Sequence, residues 1–152
     1  MAPTLKLGDL LLEAGVLTRR TLQTALDYQQ RHPGKYKLGE TLIMLELASE
    51  EQILDALSRK LRLPAVDLTR VKSIARDVLA TIDRNLAERE LVLPIAIEQR
   101  GASRRLQLAM ADPTNLTAFD NLQFRLGLPI DPHLSTITHV REAIRRFYPR
   151  GR

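Results

Sequence analysis

Lys6 and Lys37 each stand directly before a Leu-Gly pair, and each is followed three residues on by an acid, Asp9 and Glu40. The two acids could in principle hold a cation between them, but each sits more naturally beside its neighbouring lysine. Catalytic groupings are not found elsewhere. No Gly-x-x-x-x-Gly-Lys-Ser/Thr loop occurs; of the seven glycines only Gly34 precedes a lysine, and Tyr36 follows it, so no ATPase motor is encoded here. His32, His133 and His139 lie in separate segments without carboxylates at ligand spacing, and there is no cysteine, so no zinc pattern and no metal site is expected. Asp112-Pro113-Thr114-Asn115 reads as a strand-to-helix turn capped by its Asp rather than as a catalytic acid. The chain reads as a non-enzyme.

The two lysines belong to a longer unit that is written twice. At the offset of 31 residues separating Lys6 from Lys37, Leu11 meets Leu42, Leu12 meets Ile43, Val16 meets Leu47 and Thr18 meets Ser49. Leu22 meets Ile53, Ala25 meets Ala56 and Leu26 meets Leu57. One offset held over so many positions marks an internal repeat. Each copy predicts a short helix, a turn and a second amphipathic helix. In the first, residues 7–14 are apolar at helical spacing, Gly15 suits a left-handed helix end, and Thr18 caps a helix with Leu22, Ala25, Leu26 and Gln29 on one face. Arg31-His32-Pro33-Gly34 breaks that helix. In the second, Leu38, Leu42, Ile43 and Leu45 repeat the pattern, and Ser49-Glu50-Glu51-Gln52 is a capping box before Ile53, Leu54, Leu57 and Leu61. Four such helices predict a small bundle over residues 1–63.

Leu63-Pro64 ends the last of them, and residues 64–75 read as a connector opening on the extended Ala65-Val66-Asp67-Leu68. A helix is expected over Ile74–Ile82 and another turn at Leu86–Arg89. Leu91–Ile97 is β-rich, with Pro94 marking an edge or a bulge; Gln99–Ser103 is a loop, and Leu106, Leu108 and Met110 alternate, which makes a hairpin. A helix carrying Phe119, Leu122 and Leu126 stops at Gly127, a third short strand falls near Pro129–Leu134, and Ile137, Val140, Ile144 and Phe147 line a last helix ended by Pro149 and Gly151. Residues 76–148 are therefore a small α+β unit with an about three-stranded sheet, 149–152 a tail, and the whole chain is of the α+β class.

Composition bounds the partners. With 152 residues, 44% hydrophobic and 4% aromatic, the core must be aliphatic. No apolar run is long enough for a membrane span, the opening residues lack the form of a signal peptide, and the absence of cysteine suits a reducing cytoplasm, so a cytoplasmic location without a transmembrane segment is expected. A net charge of +5 favours anionic partners. The basic residues are scattered, with a tail cluster at Arg145, Arg146, Arg150 and Arg152; lacking a continuous basic helix and stacking aromatics, the chain is not expected to bind polymeric nucleic acid.

The repeated unit, Lys-Leu-Gly followed by an apolar pair, Gly, an apolar turn, Leu, Ala-Leu and Gln, resembles the N-terminal, MshE-type domain of type II secretion and type IV pilus assembly ATPases. Leu63-Pro64-Ala65-Val66-Asp67-Leu68 and Ala109-Met110-Ala111-Asp112-Pro113-Thr114-Asn115 carry the same resemblance. It implies a helical subdomain joined to an α/β one, and partnership with a secretion or pilus ATPase motor and an inner-membrane platform or adaptor protein, which would bring the chain to the membrane periphery. It also implies cyclic di-GMP as a ligand, with no other cofactor. In that family the repeats bind the dinucleotide: the cation meets phosphate or guanine, Leu-Gly admits the backbone, and aliphatic side chains lie against the purines.

Carried over by resemblance, the first copy supplies Lys6, Leu7, Gly8, Asp9, Leu22, Leu26 and Gln29. The second supplies Lys37, Leu38, Gly39, Glu40, Ile53 and Leu57, with Lys60 where the closing Gln is expected. Lys6 and Lys37 replace Arg and lose a planar fork; Glu46 stands at the position of Gly15; the linker Gln30–Tyr36 is longer than usual. Two bidentate contacts reduced to point contacts and one missing amide each cost on the order of 1 kcal/mol, together about 3 kcal/mol or more than roughly a hundredfold in affinity. Three functions are open on this sequence: a regulatory and docking domain responsive to cyclic di-GMP, a docking module without a nucleotide, and a charge-driven nucleic-acid binder.

Overall fold

The computed structural model describes residues 6–114 and 116–149, and of residues 116–118 the backbone alone. The chain divides into two compact units, Met1–Leu63 and Pro64–Arg152. Asn115 of the predicted turn, Gly151 of the predicted helix end, and Arg150 and Arg152 of the basic tail lie outside the described residues.

The first unit is four helices: α1 (Leu7–Glu13), α2 (Arg19–Arg31), α3 (Leu38–Met44) and α4 (Glu50–Leu61). The repeat reappears in the backbone bond for bond. Val16 and Leu17 N–H both return to the Leu11 carbonyl, and Leu47 and Ala48 N–H to that of Leu42. The second helix of each copy opens on a reciprocal capping box: Thr18 Oγ1 accepts from Thr21 N, and Ser49 Oγ accepts from Gln52 N. The core of the unit is aliphatic, with Leu10, Leu11, Ala25, Leu42, Ala56 and Leu57 buried. Thr41, a buried polar side chain, bonds the Lys37 carbonyl at 3.0 Å through Oγ1. Leu26 departs from the predicted inward face: it is 37% exposed, whereas its counterpart Leu57 in the second copy is buried.

The second unit carries α5 (Arg76–Leu79), α6 (Arg84–Glu90), β1 (Val92–Arg100), β2 (Ser103–Met110), α7 (Leu116–Leu126), β3 (Ile130–Leu134) and α8 (Ile137–Phe147). The sheet order is β1-β2-β3; β1 and β2 are antiparallel with an irregularity between Pro94 and Ala96, and β2 and β3 are parallel. Proline lacks the N–H a ladder needs, which accounts for both the bulge and the edge position of β1. The stretch opening on Pro64 is tied in: Val66 N donates to Leu134 O, and Leu134 N to Pro64 O, both at 2.8 Å. The helix expected over Ile74–Ile82 is confined to Arg76–Leu79. Ala75 provides no capping side chain, and Asp83 instead caps α6 through Leu86 N at 2.8 Å, which turns the chain before Arg84. Leu93, Leu106, Leu108, Ala109, Val140 and Ile144 are among the buried residues of this unit's core. The fold is α+β, with no helix among the described residues long and apolar enough to cross a membrane.

Candidate functional site

Lys6 and Lys37 occupy the same place in their copies. Each is the residue flanking a seven-residue helix, with φ/ψ of −77°/156° at Lys6 and −76°/161° at Lys37. Lys6 is exposed and Lys37 half-buried. The acids serve their own helices: Glu40 Oε1 accepts from Lys37 N at 3.1 Å, while α1 has no side-chain cap from the shorter Asp9. Negative charge in a first helical turn is favourable in itself.

The openings of the two copies meet. A Cβ placed on Gly8 would lie 3.0 Å from Leu22 Cδ1 of α2 and 3.4 Å from Leu38 Cδ2 of α3. Leu38 directly precedes Gly39, which is buried. The missing side chain at Gly8 thus lets α1 close on both neighbours, joining Gly8 and Leu22 of one copy to Leu38 of the other. Leu7, Ile53 and Leu57, predicted to line the site, are buried in the core. Leu26 and Lys60 are on the surface. Gln29 crosses the linker, its Nε2 donating to the Tyr36 carbonyl at 3.0 Å. Lys60 takes the corresponding place on the last turn of α4.

Glu46, expected to mark an eroded repeat, keeps the repeat's backbone: its φ is +57°, against +76° for Gly15. The departure changes the residue and not the turn. What sequence reasoning passed over is a ring cluster at the seam: Tyr28, His32 and Tyr36, of which only the spacing of the first two is a local signal.

The second unit contributes no predicted site residue. It holds an open groove of about 710 Å³ lined in part by Arg76, Leu79, Arg84, Arg146 and Phe147. Arg84 Nη1 donates to Pro149 O at 3.0 Å, and Arg146 to the Val71 carbonyl. Asp112, in the predicted Asp-capped turn, accepts from Thr114 N at 2.9 Å and from its hydroxyl at 2.5 Å, which is the geometry of an Asx turn.

The MshEN domain family model matches residues 61–152, and the chain belongs to that family. It is 29% identical over 143 residues to the type IV pilus assembly ATPase PilB of Myxococcus xanthus, a match covering 94% of this chain and 24% of the relative. PilB of Thermus thermophilus is 28% identical over 144 residues, covering 95% of this chain and 16% of the relative. The chain thus spans about a quarter and about a sixth of these two relatives. Among solved structures, MshE with cdg (cyclic di-GMP) superposes with a TM-score of 0.67 at 31% identity, covering 95% of this chain and 99% of that one. The N-terminal domain of XpsE superposes with a TM-score of 0.74 at 26% identity, each chain covered to 94%. The family model covers the second unit, whereas these individual matches extend across the repeats.

Proposed function

We propose that this chain is a non-catalytic regulatory and docking domain of a secretion or type IV pilus ATPase, responsive to cyclic di-GMP through its tandem repeats. The observation that carries the reading is the junction of Gly8 and Leu22 with Leu38, which puts the opening motifs of both copies side by side. A ligand with two equivalent halves suits two equivalent motifs. Lys6 and Lys37 would neutralise its phosphates, and Leu22, Leu26 and Leu38 would offer aliphatic surface to the bases. Binding would order the helical unit and so change what it presents to the motor or to an inner-membrane platform protein. The likeness to MshE with cdg supports the ligand, and the likeness to the PilB ATPases supports the motor.

Calorimetry with cyclic di-GMP tests this. The expected result is a saturable heat that Lys6→Ala and Lys37→Ala each weaken at least fivefold. No heat and no thermal shift at high micromolar ligand would end the nucleotide reading. Binding indifferent to both substitutions would move the site elsewhere.

A second reading, docking without a nucleotide, draws on the same junction. Gly8 is packed against leucines, and Leu7, Ile53 and Leu57 are buried, so the repeat's signature residues also serve the bundle itself.

A further inference from the structure

This chain has six Phe, Tyr and Trp residues in all, and two of its three tyrosines fall within nine positions at the seam between the copies, with a histidine between them. They form one cluster. Tyr28 and His32 stack with centroids 4.2 Å apart and planes 25° apart; Tyr36 lies 6.2 Å from Tyr28 and 6.5 Å from His32. All three residues are half-buried, so each keeps part of its surface in solvent. Two cations flank them: the Arg31 guanidinium is 6.0 Å from the Tyr28 centroid, and Lys35 Nζ is 5.5 Å from that of Tyr36. The cluster is also bonded to the repeat, since Gln29 Nε2 donates to the Tyr36 carbonyl and Tyr36 directly precedes Lys37.

Rings of half-buried residues held beside cations form an arrangement by which proteins hold nucleotide bases: the ring stacks on the base and a cation meets its phosphate, a contact worth roughly 1–3 kcal/mol per base. Lysine at positions 6 and 37 has no planar group to stack on guanine, whereas the seam has three. We infer that Tyr36, backed by the Tyr28–His32 stack, is a stacking platform for one guanine of the cyclic dinucleotide, with Lys35 and Arg31 adding positive charge beside the phosphates that Lys6 and Lys37 neutralise. This inference rests on the cyclic di-GMP reading above and adds a base-binding subsite to it.

The test uses the whole chain and cyclic di-GMP. Tryptophan is absent, so the ultraviolet emission comes from Tyr28, Tyr36 and Tyr148, and a guanine stacked at the seam quenches it. The Tyr28→Ala/Tyr36→Ala double variant should bind at least tenfold more weakly. The Tyr28→Phe/Tyr36→Phe variant keeps the π-faces, so it should bind within about threefold of the wild type while losing the ligand-induced quench. If the alanine variant does not fold, the quench and its loss in the phenylalanine variant decide. Binding that Lys6→Ala weakens but that the alanine variant leaves unchanged, or binding without any quench, overturns the platform and leaves the parent reading standing. No binding by the wild type overturns both.

Discussion

Glu46 holds the left-handed backbone conformation, φ +57°, that Gly15 holds at +76° in the matching turn of the first repeat. A Cβ in that region meets the following carbonyl, at a cost of roughly 1–2 kcal/mol that glycine escapes. The turn is fixed by its bonds, with Leu47 and Ala48 N–H both returning to Leu42 O, so the residue must adopt the angle the turn requires. Glu46→Gly should stabilise the chain by about 1 kcal/mol, raising the thermal midpoint by a few degrees. Gly15→Ala should do the reverse, since nothing lies within 4 Å of its added carbon and the strain alone acts. Paired melting curves that fail to move in opposite directions would contradict this.

At Gly8 the space is the issue rather than the backbone. Alanine there brings a carbon 3.0 Å from Leu22 Cδ1, the far end of a half-buried side chain that can rotate away. Alanine also favours the helix over glycine by about 1 kcal/mol. The two effects should nearly cancel, leaving Gly8→Ala within about 1 kcal/mol of the wild type in urea unfolding. Gly8→Leu cannot be accommodated between Leu22 and Leu38 and should cost about 2–3 kcal/mol.

These two glycines illustrate what could be read in advance. The repeat, the helix ends and the α+β class were legible because their signals are local: Thr18 and Ser49 as caps, Pro94 as a ladder fault, alternation at Leu106, Leu108 and Met110. The short α5 was not, since an apolar spacing from Ile74 to Ile82 does not reveal that Asp83 will cap the next helix. The parallel pairing of β2 with β3 rests on contacts more than twenty residues apart, such as Leu106 with Ile130. The ring cluster was hidden for a similar reason. Tyr36 reaches Tyr28 only because the linker turns back, with Gly34 at φ +72°.

Tyr148 ties the end of α8 to the chain before α6, its buried hydroxyl donating to the Ile82 carbonyl at 2.7 Å. Burial, with a smaller contribution from the Asp83 charge, pushes the phenol above its ordinary pKa near 10. The unfolded chain therefore loses this proton first as pH rises. The stability contributed is whole below about pH 10 and falls as pH climbs beyond it. Tyr148→Phe should cost about 1–2 kcal/mol at neutral pH by leaving the carbonyl without a donor. The variant should also show a shallower decline above pH 10, and equal alkaline slopes in urea titrations would refute this.

At the acid end the sign is opposite. Asp131 accepts from Arg105 Nε at 2.9 Å, with Nη2 at 2.7 Å from the same oxygen, and this bond holds its carboxyl below the usual range against partial desolvation. Glu98 is lowered likewise, first by Arg100 and then by Gln107. A depressed carboxyl contributes stability above its unfolded pKa near 4, lost as pH falls through the folded value. Asp131→Asn should flatten the fall in urea midpoint below pH 4 without abolishing it, because Glu98 remains. An unchanged slope would mean that the pair contributes nothing.

The departures from the resembled motif give the last prediction, since they can be reversed one at a time. Lys6→Arg and Lys37→Arg restore a planar fork at each opening, and Lys60→Gln restores the amide that Gln29 carries in the first copy. A bidentate guanidinium contact exceeds a point contact by about 1 kcal/mol, or roughly fivefold in affinity. The bundle should tolerate all three, because Lys6 and Lys60 are exposed and the Glu40 cap holds position 37 through its backbone N–H, which arginine keeps. The triple variant should therefore bind cyclic di-GMP at least tenfold more tightly than the wild type by calorimetry. If the substituted protein keeps its melting temperature and gains no affinity, Lys6, Lys37 and Lys60 do not face the ligand, and the repeat is retained for packing through Gly8, Leu22 and Leu38.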